Sequence, residues 1–197
     1  IGYEAFSSCS SLTSVVIPEG VTNIGSYAFF SCSSLTDVTF PESLTTIGGD
    51  AFEDCSSLKT LTIPNSVMSV GGWAFHNCYS LTSVTIVINT TMEDYCTNNL
   101  NGKLYDARAT SATRHLLLNG SEVTTIDIPN TIKTIGNHAF YNCKSLTAVS
   151  IPNSVTTIGD YAFQNCSSVS SYEIPNSVAH IGTSAFQGCN YADVTIA

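Results

Sequence analysis

Charge is scarce in this chain: 11% of its 197 residues are charged, 6 of them basic against 15 acidic, for a formal net charge of −9. Phosphate backbones and anionic bilayers are held by clustered Lys and Arg, so no nucleic-acid partner is expected. No run of 18 apolar residues occurs, which leaves no membrane-spanning helix in this stretch. There are 8 cysteines but no Cys-x-x-Cys pair, so a zinc site made of cysteines alone is not indicated, and no metal or other cofactor is expected. Neither end carries a signal peptide or a polar capping unit. The chain starts at Ile1-Gly2 inside a unit and stops at Thr195-Ile196-Ala197 inside a strand, and so reads as a piece of a longer protein. With so little charge, the surface must be built from Ser, Thr and Asn.

What the chain has instead is one pattern used repeatedly. The skeleton I-G-x-x-A-F-x-x-C-x-x-L-x-x-V-x-I-P-x-x-V begins at Ile1, Ile24, Ile47, Val70, Ile135, Ile158 and Ile181, at a period of 23 residues wherever two copies abut. A fixed period in the range of about 20–30 residues marks a solenoid, in which each unit forms one coil and buries its apolar side chains against its neighbours. The expected fold is an α/β solenoid of 23-residue coils, with a parallel β-ladder on one face and short helical turns on the other. A right-handed coil follows from the handedness of strand crossovers.

The periodicity inside a unit places its elements. The L-x-x-V-x-I section alternates, as in Val84-Thr85-Ile86, and reads as a short strand with two residues pointing in. Proline at 18, 41, 64, 129, 152 and 175 ends that strand and sets a turn. The next V-x-x-I-G runs extended and suits a second, narrow ladder. Glycine then recurs where a positive φ or a tight corner would require it. In A-F-x-x-C, alanine and cysteine four apart share one face of a single α or 3₁₀ turn, with the phenylalanine wedged beside them. The rows Phe6, Phe29, Phe52, Phe75, Phe140, Phe163, Phe186 and Cys9, Cys32, Cys55, Cys78, Cys143, Cys166, Cys189 are expected in the core, the cysteines as small buried thiols. Disulfides between coils are not expected, because the helical side of a coil spreads wider than its strand side.

Stacking the units aligns a row of outward residues on the strand face. Ser14 and Val16 lie beside Asp37 and Thr39, then Thr60 and Thr62, then Ser83 and Thr85, and later Thr125 and Asp127, Ala148 and Ser150, and Ser171 and Glu173. This hydroxyl-rich face is the candidate binding surface. Tyr27, Trp73, Tyr141 and Tyr161, next to the phenylalanine row, are candidates for a second stripe on the opposite edge.

The array is interrupted once. Val70 and Ile135 are 65 apart where three periods would need 69, and Val87 stands where proline belongs. The organisation is therefore repeats over 1–87, an irregular interruption over 88–122 that ends in a hairpin, and repeats over 123–197, in one continuous array. His115-Leu116-Leu117-Leu118, Asn119-Gly120 and Val123 to Ile128 read as strand, tight turn and strand. Asn89 to Thr113 is a degenerate coil or a surface loop. At the far end the last unit is one residue short, so its final strand should re-register to point Val194 and Ile196 inward.

The pattern at Ile151 to Tyr172, I-P-x-x-V-x-x-I-G-x-x-A-F-x-x-C, with Val169 in the leucine place and Tyr172 in the final valine place, resembles the BspA-type leucine-rich repeat. The segment His115-Leu116-x-Leu118-Asn119-Gly120-x-Glu122-Val123-Thr124 resembles an interruption found in bacterial members. The resemblance implies a curved, right-handed solenoid on a secreted or surface-anchored protein. It also implies extracellular protein partners, such as host matrix or another cell surface, and no shared catalytic residues.

Chemistry candidates are few. Cys96 with His115 would be a nucleophile and base only if the fold joined them, with no flanking signature in support. His76, His138 and His180 fall on variable positions that read as surface. Asp127 and Glu173 stand two coils apart, about 10 Å by strand spacing, near the separation of an inverting glycosidase pair. Nothing ties them to a base, a metal or a cleft. The functional expectation is a non-enzymatic adhesion scaffold, with a structural spacer or a carbohydrate-active enzyme as the alternatives.

Overall fold

The computed structural model describes residues 1–88, 112–190 and 193–196. The chain divides into two compact units, the first built on Ile1–Val87 and the second on Thr113–Ala197.

On one side of each coil the L-x-x-V-x-I section is a strand. In the first unit Ser14–Val16 pairs in parallel with Asp37–Thr39, and Thr60–Ile63 pairs with Ser83–Ile88. In the second, Thr125–Asp127 pairs with Ala148–Ser150, and Ser171–Ile174 pairs with Asp193–Ile196. Partners differ by 23 in number, as in Val15 with Val38. The last pairing differs by 22, Tyr172 with Val194, which is the re-registration that the short final unit called for. The V-x-x-I-G section forms the narrow second ladder: Asn23–Ile24, Thr46–Ile47 and Ser69–Val70 in the first unit, and Thr134–Ile135, Thr157–Ile158 and His180–Ile181 in the second.

The opposite side departs from expectation. No helix occurs among the described residues, so the α component and the helical turns are not there. The A-F-x-x-C section is a chain of tight turns. Tyr27 (φ 57°) and Ser31 (φ 56°) are left-handed, and the same two places are left-handed at Asp50 and Asp54, Trp73 and Asn77, His138 and Asn142, and Tyr161 and Asn165. A left-handed residue every fourth position stops a helix from propagating. The backbone hydrogen bonds show what replaces it. The N–H groups of Ala28, Phe30 and Cys32 turn back to the carbonyls of Gly25, Tyr27 and Phe29, while those of Tyr27, Phe29 and Ser31 donate to Gly49, Ala51 and Glu53 of the next coil. Alternate amides therefore stitch one coil to the next, as in a sheet.

This stitching sets the spacing and explains the glycines. Phe29, Phe52 and Phe75 stack nearly parallel with centroids 5.0 and 5.3 Å apart, close to the strand separation of about 4.8 Å. The turn side therefore does not spread wider than the strand side. Glycine follows the isoleucine position because of this closeness and not because of a positive φ. A Cβ on Gly71 would stand 2.3 Å from the backbone nitrogen of Gly49, and one on Gly48 would stand 2.5 Å from that of Ser26.

The core of each unit is the space between the two sides. Phe29, Phe52, Phe75, Phe140 and Phe163 are fully buried, with Ile24, Ile47, Leu35, Leu58, Ile135 and Ile158 around them. Two row members depart from the expected burial. Phe6 is 43% exposed and Cys9 is exposed, because among the described residues Phe6 has a ring neighbour, Phe29, on one side only. Phe186 and Cys189 are half-buried. Tyr172 takes the place of a smaller strand residue, is buried, and sets its ring against Phe163 and Phe186.

The described part of the interruption is its hairpin. Thr113–Leu118 runs antiparallel to Ser121–Glu122, with Leu118 opposite Ser121. Asn119 (φ 50°) and Gly120 (φ 79°) are both left-handed, the geometry that an Asn-Gly turn favours. The second strand is shorter than the Val123 to Ile128 expected: the chain leaves the hairpin after Val123, whose N–H reaches the Leu116 carbonyl, and starts the coil strand at Thr125. The question of coil or loop over Asn89 to Thr113, and the pairing of Cys96 with His115, fall mainly outside the described residues.

Candidate binding face

Alternation in the strands decides which side chains are available. Val38, Leu61, Val84, Ile126 and Tyr172 point in and are buried, so their neighbours point out. Ser14, Val16, Asp37, Thr39, Thr60, Thr62, Thr125, Asp127, Ser150, Ser171 and Glu173 are exposed, and Ser83 and Thr85 are half-buried. Val16 is the apolar exception at 73% exposure.

Not every hydroxyl of the chain belongs to this face. At the coil corners they are committed to the backbone of the preceding coil: Thr36 Oγ1 donates to the Thr13 carbonyl, Thr147 to Thr124, Thr45 to Thr22, and Ser154 Oγ to Ile132. Thr39, Thr60, Thr62 and Ser150 donate no such bond among the described residues, which leaves the strand hydroxyls for an outside partner. Serine and threonine thus do two jobs, split by position in the coil. Composition alone does not separate them; distance from the proline does.

In the second unit this face forms an open groove of about 780 Å³. Ser150, Ser171 and Glu173 line it, together with an asparagine column, Asn130, Asn153 and Asn176, that sequence reasoning missed. Its signal was present: each of these asparagines directly follows a period proline. Asp127 and Glu173 are both exposed, and neither meets a histidine, lysine or arginine in an ion pair among the described residues. No group of three or more metal-ligating side chains is found among the described residues.

The buried thiols are structural. Cys32, Cys55, Cys78, Cys166 and Cys189 each donate from Sγ to the carbonyl of the phenylalanine one coil back, Phe6, Phe29, Phe52, Phe140 and Phe163. Burial pushes the Cys78 and Cys143 thiols up to about 12, and Cys55 and Cys166 higher still. A thiol that does not ionise is no nucleophile.

Two histidines lie closer in than expected. His76 is half-buried, with Nδ1 3.0 Å from Glu53 Oε1 and its ring against Trp73. His138 is half-buried, its ring 4.7 Å from that of Tyr161 and 5.4 Å from that of Tyr141. His180 is exposed on the narrow ladder. His115 spans the hairpin to Glu122 at 2.6 Å, and Glu122 is held below the usual carboxylate range by hydrogen bonds from Ser145 and His115. Arg114 is buried beneath the first coil of the second unit, giving Nη1–H to the His138 carbonyl and setting its guanidinium over the Tyr141 ring.

Coils of this length, each closed by a phenylalanine–cysteine pair that is buried in the inner coils, match a known repeat. The model for a "BspA type Leucine rich repeat region (6 copies)" fits residues 1–116 and 114–197. The chain belongs to the BspA-type leucine-rich repeat family. Among solved structures, this BspA-type chain is similar to a leucine-rich repeat protein from Bacteroides ovatus, at 27% identity and a TM-score of 0.51, over 98% of this chain and 51% of that one. It is also similar to the pneumococcal vaccine antigen PcpA, at 22% identity and a TM-score of 0.56, over 94% of this chain and 51% of that one. A third likeness is to a leucine rich cell surface protein from Faecalibacterium prausnitzii, at 28% identity and a TM-score of 0.49, over 100% of this chain and 64% of that one. The BspA-type chain spans about half the length of the first two proteins. No curated protein matches it by sequence. No described helix is long and apolar enough to cross a membrane.

Proposed function

We propose that this BspA-type repeat array is a non-enzymatic scaffold that binds extracellular protein through its outward strand face, on a secreted or surface-anchored protein. The observation that carries this reading is the division of hydroxyls: corner side chains are spent on coil-to-coil bonds, while the strand positions are exposed and project from a backbone held on both sides of each coil. Such a face makes many weak contacts at fixed spacing, and affinity then grows by avidity along the array and between copies on a surface. Chemically the face offers hydroxyls, amides and isolated carboxylates, which suit hydrogen bonding to a partner's polar surface. Family membership supports a role outside the cell, and the right-handed superhelix belongs to the same reading.

The test is capture of fibronectin, fibrinogen and laminin by the immobilised chain, repeated with Thr39→Lys and Thr62→Lys in the first unit and Ser150→Lys and Ser171→Lys in the second. These exposed substitutions leave the core untouched, so thermal unfolding should not move while capture falls at least tenfold. Equal capture by the variants would overturn the assignment of the face. Absence of capture by the parent chain would favour the spacer reading, and turnover of a polysaccharide panel, lost in Asp127→Asn with Glu173→Gln, would favour an enzyme.

A further inference from the structure

On the turn side of the first unit, the two surface places of each coil carry an aromatic pair, a carboxylate pair and a second aromatic pair in succession. Tyr27 and Phe30 belong to one coil, Asp50 and Glu53 to the next, Trp73 and His76 to the third. Coil steps here are 5.0 and 5.3 Å, as the phenylalanine row directly beneath them records. The carboxylates are thus flanked on both sides, one coil step away, by rings that lie outside the core.

Tyr27 and Trp73 occupy left-handed backbone, where a bulky side chain is unfavourable and Asn, Asp or Gly is the easier choice. Asp50 and Ser184 close their coils at the same place without a ring, whereas His138 and Tyr161 carry one, so the place accepts a ring without requiring it. Trp73 is 46% exposed, and Tyr27 and Phe30 touch edge to face at 5.7 Å on the surface. Both carboxylates already bear on a neighbour: the Asp50 charge pushes the Tyr27 hydroxyl above its ordinary pKa, and Glu53 faces His76 at 3.0 Å. A carboxylate has about four lone-pair sites, so both keep acceptors for a further donor.

We propose that this patch is a docking site for a cationic side chain, arginine first, presented by an extended segment of a partner protein. A guanidinium seated on the Asp50–Glu53 pair donates hydrogen bonds to the carboxylates below and makes cation–π contact with the rings on either flank. Charge complementarity favours a basic partner over a neutral sugar. Residues 1–88 hold seven carboxylates, and their only Lys or Arg is Lys59, an exposed residue at the start of a strand on the other side of the coil. This site lies apart from the strand face proposed above and does not depend on it.

Trp73 is the only tryptophan in the chain, so its fluorescence reports the site directly. The probe is an acetylated and amidated Gly-Ser peptide with three spaced arginines, titrated into the whole chain at low salt beside a copy carrying neutral citrulline in place of arginine. The arginine peptide should quench Trp73 saturably and the citrulline peptide should not. Asp50→Asn with Glu53→Gln should weaken the arginine peptide about tenfold, the scale of losing a charge-assisted pair with its flanking rings. Glu19→Gln with Glu42→Gln, which removes the same charge elsewhere on the unit, should change it less than about twofold, and unfolding midpoints identify any variant that fails to fold. The proposal is overturned if the arginine peptide leaves Trp73 unchanged, if citrulline quenches equally, or if the remote charge pair weakens binding as much as the site pair does.

Discussion

The two sides of a coil use the same device and reach opposite ends with it. Strand side and turn side both bond their backbones to the next coil, at nearly the same spacing. On the strand side the side chains then alternate, so half of them are left for the surface and any small polar residue will do. On the turn side the backbone itself is the tight element: Gly48 and Gly71 sit where no Cβ fits, and the phenylalanine carbonyls accept both a turn N–H and the thiol of the next coil. Tolerance on one side and intolerance on the other is the lesson, and it can be tested.

The largest effect should come from the turn side. Gly71→Ala places a methyl 2.3 Å from the Gly49 nitrogen, with backbone on every near side, so the coils must separate. We expect loss of more than about 4 kcal/mol, the range reserved for overpacking of a rigid core, read as loss of the cooperative unfolding transition. Gly2→Ala, whose added carbon meets nothing within 4 Å, is the control and should cost less than about 0.5 kcal/mol.

Next comes the aromatic row. Phe52→Ala removes a ring stacked on both faces, and should cost about 3–5 kcal/mol in denaturant unfolding. Thr62→Ala on the strand face should stay within about 0.5 kcal/mol. Similar costs for the two would erase the contrast between the sides.

The thiols sharpen it further through pH. An unfolded thiol ionises near its ordinary value of 9.0, whereas Cys78 and Cys143 in the fold hold their protons to about 12. A group whose folded pKa is raised lends stability that is fully present below the unfolded value and is lost as pH climbs through the interval up to the folded one. The denaturant midpoint should therefore hold up to about pH 8 and fall between 9 and 12. At pH 8 iodoacetamide should label Cys9 in the native chain and leave Cys55, Cys78 and Cys166 unlabelled by mass spectrometry until denaturant is added.

The smallest effect concerns the left-handed places. Ser31 (φ 56°) corresponds to Asn77, Asn142 and Asn165, and Asn77 and Asn165 each donate from Nδ2 to the coil before. Ser31→Asn should raise stability by about 0.5–1 kcal/mol, since asparagine tolerates this backbone better, which for a chain of this size is a few degrees in Tm. A loss would mean that the cost of left-handed backbone is not what limits this side.

Much of this was legible in residues. The 23-residue period, proline at the strand end and the alternation of Val84-Thr85-Ile86 placed both ladders and the exposed face, because period-2 burial follows from strand geometry alone. The Asn119-Gly120 hairpin was legible for the same local reason. The helical turn was misread because Ala and Cys four apart also suit consecutive tight turns, and nothing in Tyr27 or Ser31 announces a left-handed backbone. The asparagine column went unseen because each member alone is an ordinary turn residue; only stacking makes it a column.

By itself the sequence determined that the chain would stack: a unit this short, with one strand and one phenylalanine, cannot shelter its apolar side chains without a neighbour. The tertiary structure decided how closely the coils approach, which amides turn back and which reach across, and so which glycines are obligatory and which side chains meet across coils. Those depend on distances between residues 22 or 23 apart, and such distances exist only once the coils are in place.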